Sequence, residues 1–326
     1  MPLYPLWIKI SYVLFNSPVL DVFISSLTIF PIYGLCHALT KNQAISLLSC
    51  MMYSIYPFSI YYASSGLTES LFTFLMITGL YFTYKGNNIA ASIFLILSCL
   101  VRPSMEMIFP VVIFMSSYHV HNQNLMTNIK NVIYYLLLYV LLFAPWWIYN
   151  YNKYGQFVRL NYGSGIALYE GNNVHNCDGG PYSMNGSDGI YNEGDSPAVI
   201  NEKLTLAALN FIYDDPLRFV QMSFKKFLRF WNPMPNNENY RSSIIVTISL
   251  ITMLPLFILS IIFLVTNSKR TNAMILPLVL IICFLTAIHM VTVASVRYRY
   301  PIEPILIIFS AIAMSSLFQR WPRYSL

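Results

Sequence analysis

The chain has 326 residues, 56% of them hydrophobic, 16% aromatic and only 10% charged, with a formal net charge of +6. Soluble domains are about a quarter charged, and a water-soluble protein of this size would need far more polar surface. The composition therefore excludes a soluble globular protein. It predicts an all-α polytopic membrane protein, because the apolar residues fall in blocks of spanning length.

The first segment, Met1–Phe15 (MPLYPLWIKISYVLF), is apolar and aromatic but interrupted by two prolines and Lys9. It lacks the charged start and small-residue cleavage site of a signal peptide. It reads as an amphipathic helix on the outer leaflet. Nine spans are then predicted: Ser17–Thr40, Gln43–Ala63, Leu67–Tyr84, Asn88–Val101, Ser104–Tyr118, Asn131–Tyr149, Ser242–Thr266, Asn272–Ala294 and Ile302–Phe318. Two of them, Asn88–Val101 and Ser104–Tyr118, are short against the roughly 20 residues of a crossing. Each block is read as helix, because irregular backbone in lipid leaves N–H and C=O groups unpaired.

The short loops set an orientation. Lys41-Asn42, Lys85–Asn87, His119–Lys130, Asn267–Thr271 and the tail Gln319–Leu326 alternate along the chain and together hold seven bases (Lys41, Lys85, Lys130, Lys269, Arg270, Arg320 and Arg323) and no acid. The excess of Lys and Arg in short loops marks the cytoplasmic side. The thirteen carboxylates are all placed on the opposite side, with Ala63–Gly66, Arg102-Pro103, the block from Asn150 to Arg241, and Ser295–Pro301. Met1 then starts outside, so an earlier crossing is expected upstream of it. The predicted organisation is an N-terminal membrane region (1–149), a mixed extracytoplasmic insert (150–241) and a C-terminal membrane region (242–326). The side that holds the carboxylates is the periplasm, the cell exterior or a lumen.

The insert begins with NYGSGIALYEGNNVHNCDGGPYSMNGSDG, whose glycines and asparagines predict turns rather than long helices. Its second half has helical spacing over Ser196–Asn210 and Pro216–Trp231. In the latter, Leu217, Val220, Phe224, Phe227, Leu228 and Trp231 line one face, while Arg218, Lys225, Lys226 and Arg229 line much of the rest. This basic amphipathic pattern fits a helix on the bilayer surface near lipid phosphates, or a cover over the membrane domain with no further role. Asn185-Gly186-Ser187 is a glycosylation sequon only if the outer side is a eukaryotic lumen.

Metal and disulfide chemistry find little purchase. Cys36, Cys50, Cys99 and Cys283 sit in spans and only Cys177 is in the insert, with no CxxC or HExxH spacing. His37 and His289 are single residues in spans, and His119 and His121 share a loop without further ligands. No metal, cofactor or nucleic-acid partner is predicted.

The candidate binding residues lie where spans meet the outer face. Arg102 stands in LVRPSME, and Arg297 and Arg299 stand in VRYRYPIEP before the last span. Any one of these could simply snorkel. An extended Arg-Tyr-Arg would set both guanidiniums on one side, suited to phosphate or pyrophosphate. Glu303 follows within reach of that pair. Glu69, after Thr68 at a span end, is either a solvated helix start or a functional carboxylate.

Six stretches together carry a resemblance: PLYPLWIKISYVLF (Pro2–Phe15), YYASSGLTESLFTFLMITGLYF (Tyr61–Phe82), LVRPSMEMIFPV (Leu100–Val111), APWWIYNYNKYGQFVRLNYGSGIALYEGNN (Ala144–Asn173), PLRFVQMSFKKFLRFWNP (Pro216–Pro233) and RYRYPIEPILII (Arg297–Ile308). In this order they resemble the lipid-linked-sugar glycosyltransferases of the GT-C superfamily. The likeness is to bacterial relatives of protein O-mannosyltransferases and to the aminoarabinose transferase of lipid A, and the TES triplet is also similar to GPI mannosyltransferase relatives.

The resemblance implies transfer of a sugar from a polyprenyl-phosphate-linked donor to an extracytoplasmic acceptor, with membrane lipids as surroundings. Such chemistry needs a groove for the polyprenyl chain, cations for the phosphate leaving group and a carboxylate base. By the resemblance, Arg297 and Arg299, with Arg102 as a further candidate, take the donor phosphate, at a bacterial inner, or plasma, membrane. Tyr298, Asn172 and Asn173 line a sugar or acceptor pocket, and Glu69 orients substrate or holds a basic partner. The family's acid lies in a first outer loop ahead of the PLYP segment, and no residue here matches it. Asp21 falls inside the next span and is not its counterpart. The base is therefore expected upstream of Met1. The alternatives are a truncated, non-catalytic membrane partner of a glycosylation system or, against the absence of an inverted repeat, a lipid or sugar transporter.

Overall fold

The computed structural model describes residues 1–181, 189–192, 194–266 and 269–320. The sequon at 185–187, the start of the loop 267–271, and the tail from 321 with Arg323 lie outside the described residues. Among those described there are helices, turns and loops and no strand. The helices are α1 (Leu3–Phe15), α2 (Val19–Leu27), α3 (Ile29–Thr40), α4 (Gln43–Ser54), α5 (Pro57–Ser64), α6 (Glu69–Lys85), α7 (Asn88–Val101), α8 (Phe109–His119), α9 (Leu125–Tyr154), α10 (Ser164–Gly171), α11 (Pro197–Asp214), α12 (Pro216–Phe230), α13 (Ser243–Thr266), α14 (Lys269–Val291), the single turn α15 (Val296–Arg299) and α16 (Glu303–Arg320).

Among the described residues, five segments are long and apolar enough to cross a membrane: Val19–Thr40, Leu125–Tyr154, Ser243–Thr266, Ala273–Val291 and Val296–Leu317. This is the make-up of a helical membrane protein. A sixth predicted crossing is broken: Gln43–Ser54 and Pro57–Ser64 meet at 54°. Tyr56 precedes Pro57, and the residue before proline is pushed out of the helical region; it sits at ψ 117°. The predicted spans Leu67–Tyr84, Asn88–Val101 and Ser104–Tyr118 form helices of 17, 14 and 11 residues, each short of a straight crossing of about 20.

The chain divides into two compact units. The first comprises Met1–Trp146, Thr247–Ile282 and Tyr300–Leu326. Its centre is α6, buried on nearly every side and packed against α7, α3 and α2. An all-round apolar helix such as this belongs inside a bundle. The last helix, α16, joins it through α4, where the Tyr53 and Tyr300 hydroxyls share a hydrogen bond of 3.1 Å. Ser260 Oγ donates to Leu306 O at 3.0 Å, and Ser310 Oγ to Leu256 O at 2.9 Å, tying α13 to α16. By contrast, α13 exposes Ile251, Ile258 and Ile261, and α9 exposes Leu137 and Leu141, apolar surface of the kind acyl chains cover. Helix ends follow local rules: Asn42 caps α4 by accepting from Ala44 N and Ile45 N, and α6 ends at Gly86 with φ 81°.

The second unit comprises Trp147–Val246 and Cys283–Arg299. Its small core is Tyr169, Leu204 and Ala208, where α10 packs on α11. The first half of the expected insert is indeed mostly turns, and the second half is α11 and α12. Residues 283–299 belong to the same unit although they lie far along the chain.

Candidate functional site

Within the first unit, three of the stretches singled out above converge. Asp21, in the first turn of α2, is fully buried. Its carboxylate accepts from Tyr4 Oη at 2.9 Å and Trp7 Nε1 at 2.8 Å, both on α1. Ser11 completes the pinning of α1, donating to Ser17 O at 2.7 Å and accepting from Leu20 N at 3.1 Å. Glu69 stands in the first turn of α6, the helix on which α2 packs. Glu69 is also fully buried and pairs with Arg102 Nη1 at 3.2 Å. Arg102 is reachable because α7 ends there: Arg102 precedes Pro103 and adopts extended backbone, which turns its side chain off the helix. Its guanidinium lies 5.8 Å from the centre of the Phe72 ring. The cluster thus holds two buried carboxylates, one guanidinium, and a phenol and an indole as neutral donors. Of the two readings of Glu69, the geometry gives a buried acid holding a basic partner, not a solvated helix start.

Within the second unit, α12 carries the polar site. Lys226 is fully buried, and its Nζ donates to Asn172 Oδ1 at 2.8 Å and to Val291 O at 3.2 Å. Burial lowers its pKa from 10.5 to about 8, since the low-dielectric surroundings penalise the ammonium. The neighbouring cations point the same way. Arg218 donates to Val174 O at 2.8 Å and Lys225 to Cys177 O at 3.1 Å. Arg229 donates to Ala294 O at 3.1 Å and pairs with Asp178. Four cations of one helix therefore hold the backbone of 172–178 and 291–294. Asn176 folds that loop upon itself, accepting from Gly179 N at 2.7 Å and donating to Gly180 O at 2.9 Å. Gly179 has φ 75°, and an added Cβ would sit 2.4 Å from Lys226 Cγ, so the loop meets α12 closely. A shallow hollow of about 260 Å³ opens there, lined by His175, Asn176, Cys177, Asp178 and Pro181. Nearby, burial pushes the Glu170 carboxyl above its usual range.

The remaining predicted residues fall as follows. Asn172 is buried, and its Nδ2 donates to Leu168 O at 2.8 Å and Val291 O at 2.7 Å. Asn173 is buried too, donating to Tyr169 O at 2.8 Å and accepting from His175 N and Asn176 N. Asn173 spends these groups on nearby backbone, whereas Asn172 also reaches Val291 O and accepts from Lys226 Nζ. Tyr298 stacks on His289 with ring centres 4.7 Å apart, and Phe230 stacks on the same His289 at 5.6 Å. The Arg-Tyr-Arg expectation needs correction. Residues 296–299 form a helical turn, not an extended strand. At about 100° per residue, positions i and i+2 point to nearly opposite sides of a helix. Arg297 is accordingly half-buried, whereas Arg299 is fully buried. Arg299 Nη1 donates to Phe230 O at 2.7 Å and Asn232 O at 2.9 Å. It caps the C-terminal carbonyls of α12, where a cation is favoured by the helix dipole.

Sequence reasoning missed the inward-facing role of Lys226 and the α1–Asp21 clasp. The signal for the first was present in the Asn/Gly-rich loop, whose many turns leave carbonyls that need donors. In comparisons with known proteins, no family model, no curated sequence and no solved structure matches the chain.

Proposed function

We propose that the chain is an integral-membrane glycosyltransferase of the GT-C type, which takes a sugar from a polyprenyl-phosphate donor and passes it to an extracytoplasmic acceptor. The observation that carries this reading is the ordered set of six stretches spread over the chain, from PLYPLW near the N-terminus to RYRYPIEP before the last helix. Two further points support it. The first three stretches supply Tyr4 and Trp7, which hold Asp21, and the Glu69–Arg102 pair. The excess of bases in the short loops favours an orientation in which the second unit faces away from the cytoplasm, and in this reading the chain makes about nine crossings.

In this reading Arg297 is the donor-phosphate cation, while Arg102 holds the buried Glu69 of the first unit. Arg299 acts as a positioning residue: by holding Phe230 O and Asn232 O it fixes the turn that presents Arg297 and Tyr298. Phosphate departure gains from a cation in a low-dielectric site, where the charge of the leaving group is otherwise costly.

The test uses the full chain in vesicles with polyprenyl phosphate and a panel of labelled polyprenyl-phosphate sugars. Arg297→Ala should weaken polyprenyl-phosphate binding by about tenfold or more, the scale of one charge-assisted bond, with membrane insertion unchanged. Absence of any polyprenyl-phosphate binding, or binding by Arg297→Ala equal to that of the unaltered chain, would overturn the reading. Binding without transfer from any donor would instead identify a non-catalytic partner of a glycosylation system.

A further inference from the structure

The face of α12 turned away from its cations is apolar and uncovered. Leu217, Val220, Phe224 and Leu228 are 67%, 62%, 60% and 54% exposed. They recur at intervals of three and four residues, so they form one stripe along the helix. At the end of α11 leading into α12, Leu209 and Tyr213 are also exposed, at 49% and 87%. A continuous apolar stripe of this length on a protein surface marks a site of contact.

The other side of α12 shows what the stripe meets. Lys226 Nζ bonds Val291 O, the last residue of the apolar span Ala273–Val291. Arg229 Nε bonds Ala294 O, just beyond that span's end. Two side chains therefore fasten α12 across the point where a membrane helix leaves the hydrocarbon. A helix held at that height has the boundary between headgroups and acyl chains beside it. The sequence pattern alone suggests that its cations reach lipid phosphates. The structure engages those cations with the protein's own groups, Val174 O, Cys177 O, Asn172 Oδ1, Val291 O and Ala294 O; Lys226 is buried and Lys225 stays exposed.

We propose that α12 is seated in the bilayer interface through its apolar stripe, with lipid acyl chains as the occupant and without need of anionic headgroups. The helix then acts as a floor for the 172–180 loop, whose carbonyls its opposite face holds. This surface requires no sugar, donor or catalytic group, so it stands or falls separately from the transferase reading.

A benzophenone-bearing phenylalanine analogue placed at Phe224, and separately at Val220, tests the occupant in the full chain reconstituted in phosphatidylcholine vesicles. Irradiation should give a protein–phospholipid adduct at both positions, seen by mass. The yield should stay within about twofold when half the lipid is replaced by phosphatidylglycerol, and when salt rises from about 0.1 M to about 1 M, because screening acts on charge and not on apolar contact. Crosslinks to protein, or no adduct at either position in a chain that elutes as a folded monodisperse species, would overturn the proposal. So would a yield that depends several-fold on anionic lipid or salt, because the cations would then be reading phosphates. Two positions on the stripe guard against local misfolding at one of them.

Discussion

Replacing Lys226 with methionine should remove a pH dependence that the wild-type chain carries. Lys226 Nζ is buried against Asn172 Oδ1 and Val291 O, and burial lowers its pKa from 10.5 to about 8. Folded and unfolded states then differ in protons bound between those two values: the unfolded chain keeps its proton up to 10.5 while the folded chain releases it near 8. Stability rises with pH wherever the unfolded state holds more protons. Below pH 8 the folded state therefore bears the full cost of a buried ammonium, and that cost fades as pH climbs toward 10.5. At 1.36 kcal/mol per pKa unit, the recovery amounts to about 3 kcal/mol, most of it present by pH 10. Methionine keeps the apolar stem and cannot titrate, so Lys226→Met should lack this rise. For a structure of this size about 3 kcal/mol corresponds to a shift on the order of 5–10 °C in Tm. Unfolding followed by tryptophan fluorescence in detergent from pH 7 to pH 10 reads the effect as the difference between the two chains, which cancels the tyrosines and other lysines they share. If the two midpoints move in parallel across that range, Lys226 is not a buried ammonium and the account of the second unit fails.

Three other outcomes follow from named contacts. Arg102→Met should destabilise the first unit by about 3–5 kcal/mol, because it takes the guanidinium from a fully buried Glu69; adding Glu69→Gln should restore part of that loss in a thermal double-mutant cycle, and no restoration would mean the pair is not coupled. Gly171→Ala would place a Cβ 2.0 Å from Thr292 O, a backbone atom; a loss of at least about 3 kcal/mol is expected, read as earlier proteolysis of residues 147–246. A water-soluble maleimide should label exposed Cys177 but not buried Cys36, Cys50 or Cys99; in intact cells, labelling from outside is the result that the proposed orientation requires, and labelling only after lysis would reverse it.

Much of the helical layout was legible because lipid imposes a simple rule. A segment that crosses must be apolar along its whole length and must satisfy its own backbone. Ser242–Thr266 and the last two crossings could thus be placed within a few residues of α13, Ala273–Val291 and Val296–Leu317. The amphipathy of α12 was equally plain from periodicity. Less legible was the break at Tyr56-Pro57, where a run of apolar residues reads as one span but the backbone bends by 54°. The asparagines at 172 and 173 were visible as polar residues in a turn-rich loop. Their actual partners, Leu168 O, Val291 O and Tyr169 O, include one from more than a hundred positions away.

What the sequence by itself determined is therefore what depends on near neighbours: apolar block length and the two faces of α12. What only the tertiary structure decided is which way those faces turn and which charges meet. Periodicity separates the apolar stripe of α12 from its cations but does not say which side is inward. That choice is made by the carbonyls of 172–178 and 291–294, which burial leaves in need of donors. In the same way Arg297 and Arg299 read as a pair in the chain, and one helical turn separates them, leaving the first half-buried and closing the second over the end of α12. An isolated charge in a sequence has no partner until the fold brings one, and in a low-dielectric interior the partner decides what the charge does.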